Sequence, residues 1–279
     1  MKYNVLANNI KMPSIGFGTY KLEDGNQTVY AVKYALEVGY RHLDCAEIYN
    51  NQISVGKAIK QSSVNRKDIF VTSKIWNSDK GYESTKKAFN KILNDLELEY
   101  LDLLLIHWPI GRDFKNNWKE INSQTWKAME ELYQEGKIKS IGVSNFLVHH
   151  LEELKKTAKI TPMVNQLEFH PGYMQPEIVD YCKNNNIVVQ AWSPFSQSQI
   201  LEHKKLLELA NKYKVTTAQL ILNWIIQKDI VPLPKSKTFE RIKSNLAVFD
   251  FSISKEDIKI IDELPDCGGL DLHPDEVEF

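Results

Sequence analysis

The sequence has no long hydrophobic run. Its longest interior stretch, LDLLLIHW at 101–108, falls far short of the ~20 apolar residues a membrane helix needs. The opening MKYNVLANNIKMPS lacks the apolar core of a secretory signal, so a cytoplasmic location is expected. Net charge is almost absent: 35 Lys and Arg stand against 36 Asp and Glu, a formal −1. No global field therefore draws the chain to nucleic acid or a membrane surface, and any anion site must be local. The three cysteines, Cys45, Cys182 and Cys267, are odd in number and have no framework spacing. They read as free thiols in a reducing compartment. No Pro/Gly/Ser-rich linker, repeat or low-complexity tract interrupts the 279 residues, which read as one domain, 1–279. A G-x-G-x-x-G turn is missing too. Gly16-Phe17-Gly18-Thr19-Tyr20 does not continue that way, which counts against a doubly wound open sheet.

What is present is an alternation. YNVLA and IKMPSI, separated by Asn8-Asn9, predict an N-terminal hairpin, because asparagine tolerates a left-handed turn. Eight short β-rich runs follow at 15–19, 41–44, 69–74, 101–107, 140–145, 163–170, 187–193 and 230–236. Segments of helical period lie between them, among them TVYAVKYALEVG, STKKAFNKILNDL, TWKAMEELYQEG and LVHHLEELKKTA. Gly39 and Gly136 sit where helix ends need positive φ, and Pro176 suits a first helical turn. Eight strand–helix units, with one extra helix after strand seven and KEDIKIIDEL near the end, predict a (β/α)8 TIM barrel, class α/β, capped by the hairpin.

In such barrels chemistry gathers at the C-terminal strand ends. Here strand two ends in Asp44, strand three in Lys74 and strand four in His107. Neighbouring strands lie roughly 5 Å apart, so these three should converge, with Tyr49 on the loop above. Singly, each has a plainer reading: a capping ion pair, a satisfied histidine, a half-buried loop aromatic. Together they can act as a general acid. A lysine ammonium beside a phenol should pull its pKa down from about 10, an aspartate keeps the ammonium charged, and an imidazole can orient a carbonyl oxygen. Protonating a carbonyl is useful when hydride reaches its carbon, and a nicotinamide can deliver it.

These residues lie in segments similar to one family. GYRHLDCAEIYNNQISVGKAIK resembles the signature of the aldo-keto reductases. IGFGTY, VTSKIW, LLLIHWP, IGVSNF, VNQLEFHP, QAWSPF and LPKSKTFERIKSN follow the family's order. The length and short tail look like the bacterial and protist members that reduce aldehydes, ketones and keto-sugars. The resemblance implies NADPH across the barrel mouth and an NADP-linked alcohol dehydrogenase type of reaction. Asp44, Tyr49, Lys74 and His107 would form the catalytic tetrad, with Tyr49 as proton donor. Ser144, Asn145 and Gln166 would hold the nicotinamide carboxamide, and Trp192 would stack on its ring. Thr19 and Ser193 also fall on cofactor-binding positions. Lys235, Ser236 and Arg241 would take the adenosine 2′-phosphate, and Asn245 the adenine. Tyr20, Trp76 and Trp108 should ring the tetrad, with Phe114 and Trp118 in the long loop after strand four. Gly268-Gly269 would let the tail fold over the mouth.

The chain departs from the family pattern at a few places. Ser196 and Ser198 stand in the pyrophosphate loop where many relatives have glycines, Gln52 replaces a usual glutamate, Cys45 a serine or threonine, and Ser244 a common glutamate. No metal, nucleic-acid or membrane partner is expected; a small carbonyl substrate and a monomer are. Two other readings stand beside this one. The first is a cofactor-sensing regulatory module with slow turnover. The second is a metal-dependent barrel hydrolase using His107, Glu168 and His170.

Overall fold

Strands buried on both faces lose the polar alternation of a surface sheet and read as continuous apolar runs. All six residues of Phe70–Ile75 are buried, as are all four of Leu103–Ile106. In the computed structural model, which describes residues 2–279, ten strands form. The hairpin strands β1 (Tyr3–Val5) and β2 (Lys11–Pro13) pair antiparallel. Its turn places Asn9 at φ 67°, as the Asn8-Asn9 pair predicts. The other eight make one parallel sheet in chain order: β3 (Phe17–Gly18), β4 (His42–Asp44), β5 (Phe70–Ile75), β6 (Leu103–Ile106), β7 (Ile141–Ser144), β8 (Val164–Glu168), β9 (Val188–Trp192) and β10 (Val231–Pro232).

The sheet curls until its two ends meet. The N–H of Gly16 donates to Pro232 O and that of Gly18 to Pro234 O, both at 3.0 Å, closing first strand on last. A Cβ on Gly16 would lie 2.5 Å from Leu233 Cδ2 and 2.8 Å from His42 Nδ1, so glycine is what allows this approach. Met12 and Leu6 of the hairpin are buried with Leu103, Leu105, Val164 and Val231, and so plug the barrel floor. The fold is the expected (β/α)8 barrel with a hairpin cap.

Among the described residues ten α-helices wrap the sheet: α1 (Asn26–Val38), α2 (Gln52–Gln61), α3 (Tyr82–Leu96), α4 (Trp118–Gln134), α5 (Val148–Lys155), α6 (Pro176–Asn184), α7 (Lys204–Tyr213), α8 (Thr217–Gln227), α9 (Phe239–Leu246) and α10 (Lys255–Asp262). Gly39 (φ 117°) and Gly136 (φ 73°) take the left-handed conformation after α1 and α4, and Pro176 opens α6. The extra helices are α7 and α10. Thr216 separates α7 from α8: its hydroxyl accepts from Gln219 N–H while Gln219 Oε1 accepts from Thr216 N–H. At Gly56 a Cβ would stand 2.3 Å from Leu96 O, which makes α2 hug the end of α3. One expectation is corrected. Trp118 does not lie in a loop: it starts α4 and packs edge-on against His150 at 4.9 Å. The polar run KNNWKEINS hid this helix start, whose contacts are on its buried side.

Candidate active site

The parallel register sets Gly18 opposite Asp44, Asp44 opposite Thr72, and Lys74 opposite Leu105. The ends of β4, β5 and β6 thus present Asp44, Lys74 and His107 side by side, and a 3-10 turn at Glu47–Tyr49 brings Tyr49 over them. Lys74 is fully buried. Its Nζ donates to Asp44 Oδ1 at 2.6 Å, Cys45 O at 3.0 Å and Tyr49 Oη at 3.2 Å. An ammonium has three protons, and all three are spent here. The phenol oxygen accepts from lysine, so its own proton is free to point into the mouth. Burial works against the ammonium, but Asp44 and Tyr49 outweigh it and hold the Lys74 pKa above its usual value. Removing Asp44 would strand a buried charge, at a cost of about 3–5 kcal/mol.

Asp44 is itself anchored. Gln166 Nε2 donates to Asp44 Oδ2 and to Gln190 Oε1, each at 2.8 Å, and Gln190 Nε2 reaches Met12 Sδ at 3.1 Å. A polar string thus runs inside the barrel from the floor plug to the phenol. Gln190 was not among the sequence candidates; in the middle of an apolar strand, its only signal is that a buried amide needs partners.

The expected fall in the Tyr49 pKa is not met. Burial pushes it up to about 12, with Lys74 pulling it down and Asp44 pushing it up. The sequence shows the charged neighbour but not the depth of the pocket. At neutral pH the group is a phenol, the form an acid must have. His107 is held well below 6.5 by burial and by Lys74, so its ring is neutral. Nδ1 is buried without a partner. A bare lone pair is cheaper to bury than an N–H, so we assign the proton to Nε2. The ring lies edge-on to Tyr49 (5.9 Å) and to Trp76 (5.0 Å).

The strand ends beyond the tetrad are cross-tied. Trp192 Nε1 donates to Asn145 Oδ1 at 2.8 Å, and Asn145 Nδ2 donates to His107 O at 3.0 Å. Ser144 Oγ donates to Gln166 O at 2.9 Å. Thr19 is buried, and its hydroxyl donates to Asp44 O at 3.0 Å, tying β3 to β4. Around the mouth, Tyr20 lies 5.0 Å from the Tyr49 ring and Trp108 is edge-on to Trp192 at 6.4 Å. Phe114 ends a short turn at Arg112–Phe114. Phe279, which sequence reasoning missed, stacks on Trp76 at 5.4 Å and meets Trp108 edge-on at 5.4 Å. The tail reaches there past Gly269, where a Cβ would lie 2.7 Å from Glu168 Oε2. The glycine pair was the available signal.

Beyond β10 the chain gathers cations beside Gly18, where a Cβ would lie 3.7 Å from Lys235 Cβ. Lys235 is held below its ordinary pKa by burial and by Lys21 and Lys237, a repulsion that a bound anion would relieve. Ser236 and Asn245 are buried nearby in sequence, and Arg241 is exposed on α9. The loop after β9 carries four non-glycine residues in left-handed backbone: Ser193 (φ 47°), Ser196 (45°), Gln197 (51°) and Ser198 (81°). Each such residue carries a cost of about 1 kcal/mol. Here the serines adopt glycine-like geometry. Lys21 Nζ donates to Gln197 Oε1 at 2.8 Å, drawing this loop across toward β3. A phosphate-bearing dinucleotide fits this donor set.

A shared cation site for His107, Glu168 and His170 does not form. Among the described residues the only three His, Cys, Asp or Glu groups close enough to share an ion are His149, His150 and Asp275. No described helix is long and apolar enough to cross a membrane.

The barrel agrees with the comparisons. The Aldo/keto reductase family profile matches residues 14–266, and the chain belongs to that family. It is 49% identical over 274 residues to the glyoxal reductase of Bacillus subtilis (strain 168), covering 98% of this chain and 96% of the relative. It is 45% identical to the 9,11-endoperoxide prostaglandin H2 reductase of Trypanosoma cruzi (strain CL Brener), covering 97% and 94%. Among solved structures, an aldo-keto reductase from a Medee basin deep-sea metagenome library superposes with TM-score 0.94 at 45% identity, covering 99% of this chain and all of that one. A mutant of Gox0644 in complex with NADPH superposes with TM-score 0.92 at 32% identity, covering 100% and 99%.

Proposed function

We propose that this protein is an NADPH-dependent reductase of small aldehydes and ketones, with Tyr49 as the proton donor. The observation that carries this reading is the Lys74 ammonium, whose three protons are committed to Asp44, Cys45 O and the Tyr49 oxygen. When bound, NADPH supplies hydride to the carbonyl carbon. The chain's own residues do the rest. Neutral His107 donates from Nε2 to the carbonyl oxygen and sets its position. Tyr49 gives that oxygen its proton as negative charge develops there, and the phenolate left behind keeps the hydrogen bond from Lys74. Asp44 holds the ammonium in place, and Gln166 holds Asp44.

Trp192 presents a flat face to the nicotinamide, with Ser144, Asn145 and Gln166 at its carboxamide and Thr19 and Ser193 beside it. Lys235, Ser236 and Arg241 take the 2′-phosphate, and Asn245 the adenine. Tyr20, Trp76 and Trp108 wall the substrate pocket, and the name of the glyoxal reductase relative supports a small aldehyde there. The reverse reaction, alcohol oxidation with NADP+, uses the same groups. The three free cysteines support a reducing, cytoplasmic setting.

The test is a panel of aldehydes and ketones with NADPH and NADH in parallel. Oxidation of NADPH by glyoxal and methylglyoxal, with weaker use of NADH, is expected. No carbonyl-dependent oxidation of either nucleotide would overturn the reading.

A further inference from the structure

The tail after α10 is pinned to the barrel at three points. Leu270 N–H donates to Glu168 Oε2 at 3.1 Å. Phe279 O accepts from Asn77 Nδ2 at 3.0 Å and from Arg112 N–H at 3.3 Å, while its ring lies on Trp76 and Trp108. Between these points, Asp275 Oδ1 stands 3.0 Å from His149 Nε2 and 2.9 Å from His150 Nε2, both at the start of α5. Pro274 and Val277 on either side of Asp275 are buried. Only three residues separate Asp275 from Phe279.

His150 is the fixed half of this cluster. It is fully buried, with Trp118 edge-on at 4.9 Å and the His149 ring centroid at 3.9 Å. Its Nδ1 accepts from Leu147 N–H at 3.1 Å, in the first turn of the helix. That bond forces the ring proton onto Nε2, the atom beside Asp275. The contact is short but off-axis, so Nε2 is buried without a well-formed hydrogen bond and depends on the nearby carboxylate for compensation. Burial and His149 lower the His150 pKa to about 3, so the ring stays neutral. The same tautomer rules out a metal centre. A metal on Nε2 would need a proton on Nδ1, and that position faces an N–H donor.

We propose that Asp275, held between His149 and His150, is the positioning residue that seats Phe279 over the substrate pocket and so sets the pocket's size limit. The buried imidazole supplies the preference for the seated tail: withdrawing Asp275 would leave Nε2–H with no acceptor oxygen beside it. Phe279 then forms the outer wall with Trp76 and Trp108. This rests on the carbonyl-reductase reading for its kinetic consequence, but not for its structural one.

Two readouts test it. Hydrogen exchange of the 270–279 backbone, measured without substrate, should speed at least about tenfold in Asp275→Ala and stay near wild type in Asp275→Asn, which keeps an acceptor oxygen. In turnover, Asp275→Ala should raise KM for glyoxal several-fold, improve kcat/KM for a bulky aromatic aldehyde relative to glyoxal, and leave kcat for glyoxal within about twofold. Phe279→Ala should reproduce the selectivity change with His149 and His150 intact. Unchanged exchange in Asp275→Ala overturns the latch. So does a selectivity change in Phe279→Ala that Asp275→Ala lacks. A zinc-dependent change in either readout would replace the latch with a metal site and overturn it as well. Exchange behaving as expected in a protein that reduces no carbonyl would instead strike the functional reading and leave the latch standing.

Discussion

Trp192 and Asn145 form one unit: the indole N–H donates to the amide oxygen at 2.8 Å, joining the ends of β9 and β7 across β8. The other end of that amide donates to His107 O at 3.0 Å, so one side chain spans the wall between the proposed nicotinamide platform and the proposed carbonyl-orienting residue. Asn145 also has left-handed backbone, φ 63°. Asn145→Ala should therefore lower stability by about 3–4 kcal/mol, through the three lost side-chain hydrogen bonds, with Trp192, His107 and Ser144, and a φ that alanine resists. Asn145→Gly, free of the φ penalty, should lose about 1 kcal/mol less. Denaturant melts of the two variants separate the backbone contribution from the side-chain one, and equal losses would show that the backbone strain does not count.

Lys235 lies in a group of cations whose mutual repulsion a phosphate would relieve. Lys235→Met should weaken NADPH by about ten- to a hundredfold, the worth of one charge-assisted hydrogen bond, and leave NADH nearly unchanged. Paired titrations with the two nucleotides check this. An equal loss for both would place the lysine away from the 2′-phosphate.

His42 lies inside the barrel, with its Nε2 3.1 Å from Thr72 Oγ1. Burial lowers its pKa from 6.5 to about 4, Asp44 partly opposing this. A base whose folded pKa is depressed stabilises the fold above its unfolded value and loses that stabilisation as pH falls through the folded one. Between pH 6.5 and about 4.5 this single residue should cost the wild type about 2 to 3 kcal/mol. His42→Gln should remove that part of the acid loss. Melts at the two pH values give the difference directly, and parallel slopes in both proteins would contradict it.

Much of this was legible because barrel strands end where their chemistry begins. Asp44, Lys74 and His107 each fall at the C-terminal end of a strand or within a residue of it, and chain-order pairing of the strands then makes them neighbours. What stayed hidden depends on depth or on non-local packing. The rise in the Tyr49 pKa comes from burial, which a list of neighbours does not contain. Gln190 is one polar residue in an apolar strand, and its role shows only once Gln166 and Met12 lie on either side of it. Phe279 follows an irregular tail with no period to extrapolate. Trp118 looked like loop because the residues around it are polar, and they are polar because that first turn of α4 faces solvent on one side.

The central claim is that a half-buried phenol, held by Lys74, delivers the proton. The measurement that tests it most directly is single-turnover reduction of glyoxal by NADPH in Tyr49→Phe, with NADPH affinity determined on the same protein. The rate should fall by about a hundred- to ten-thousandfold while the affinity stays within about threefold of wild type. A Tyr49→Phe protein that turns over at the wild-type rate would contradict it.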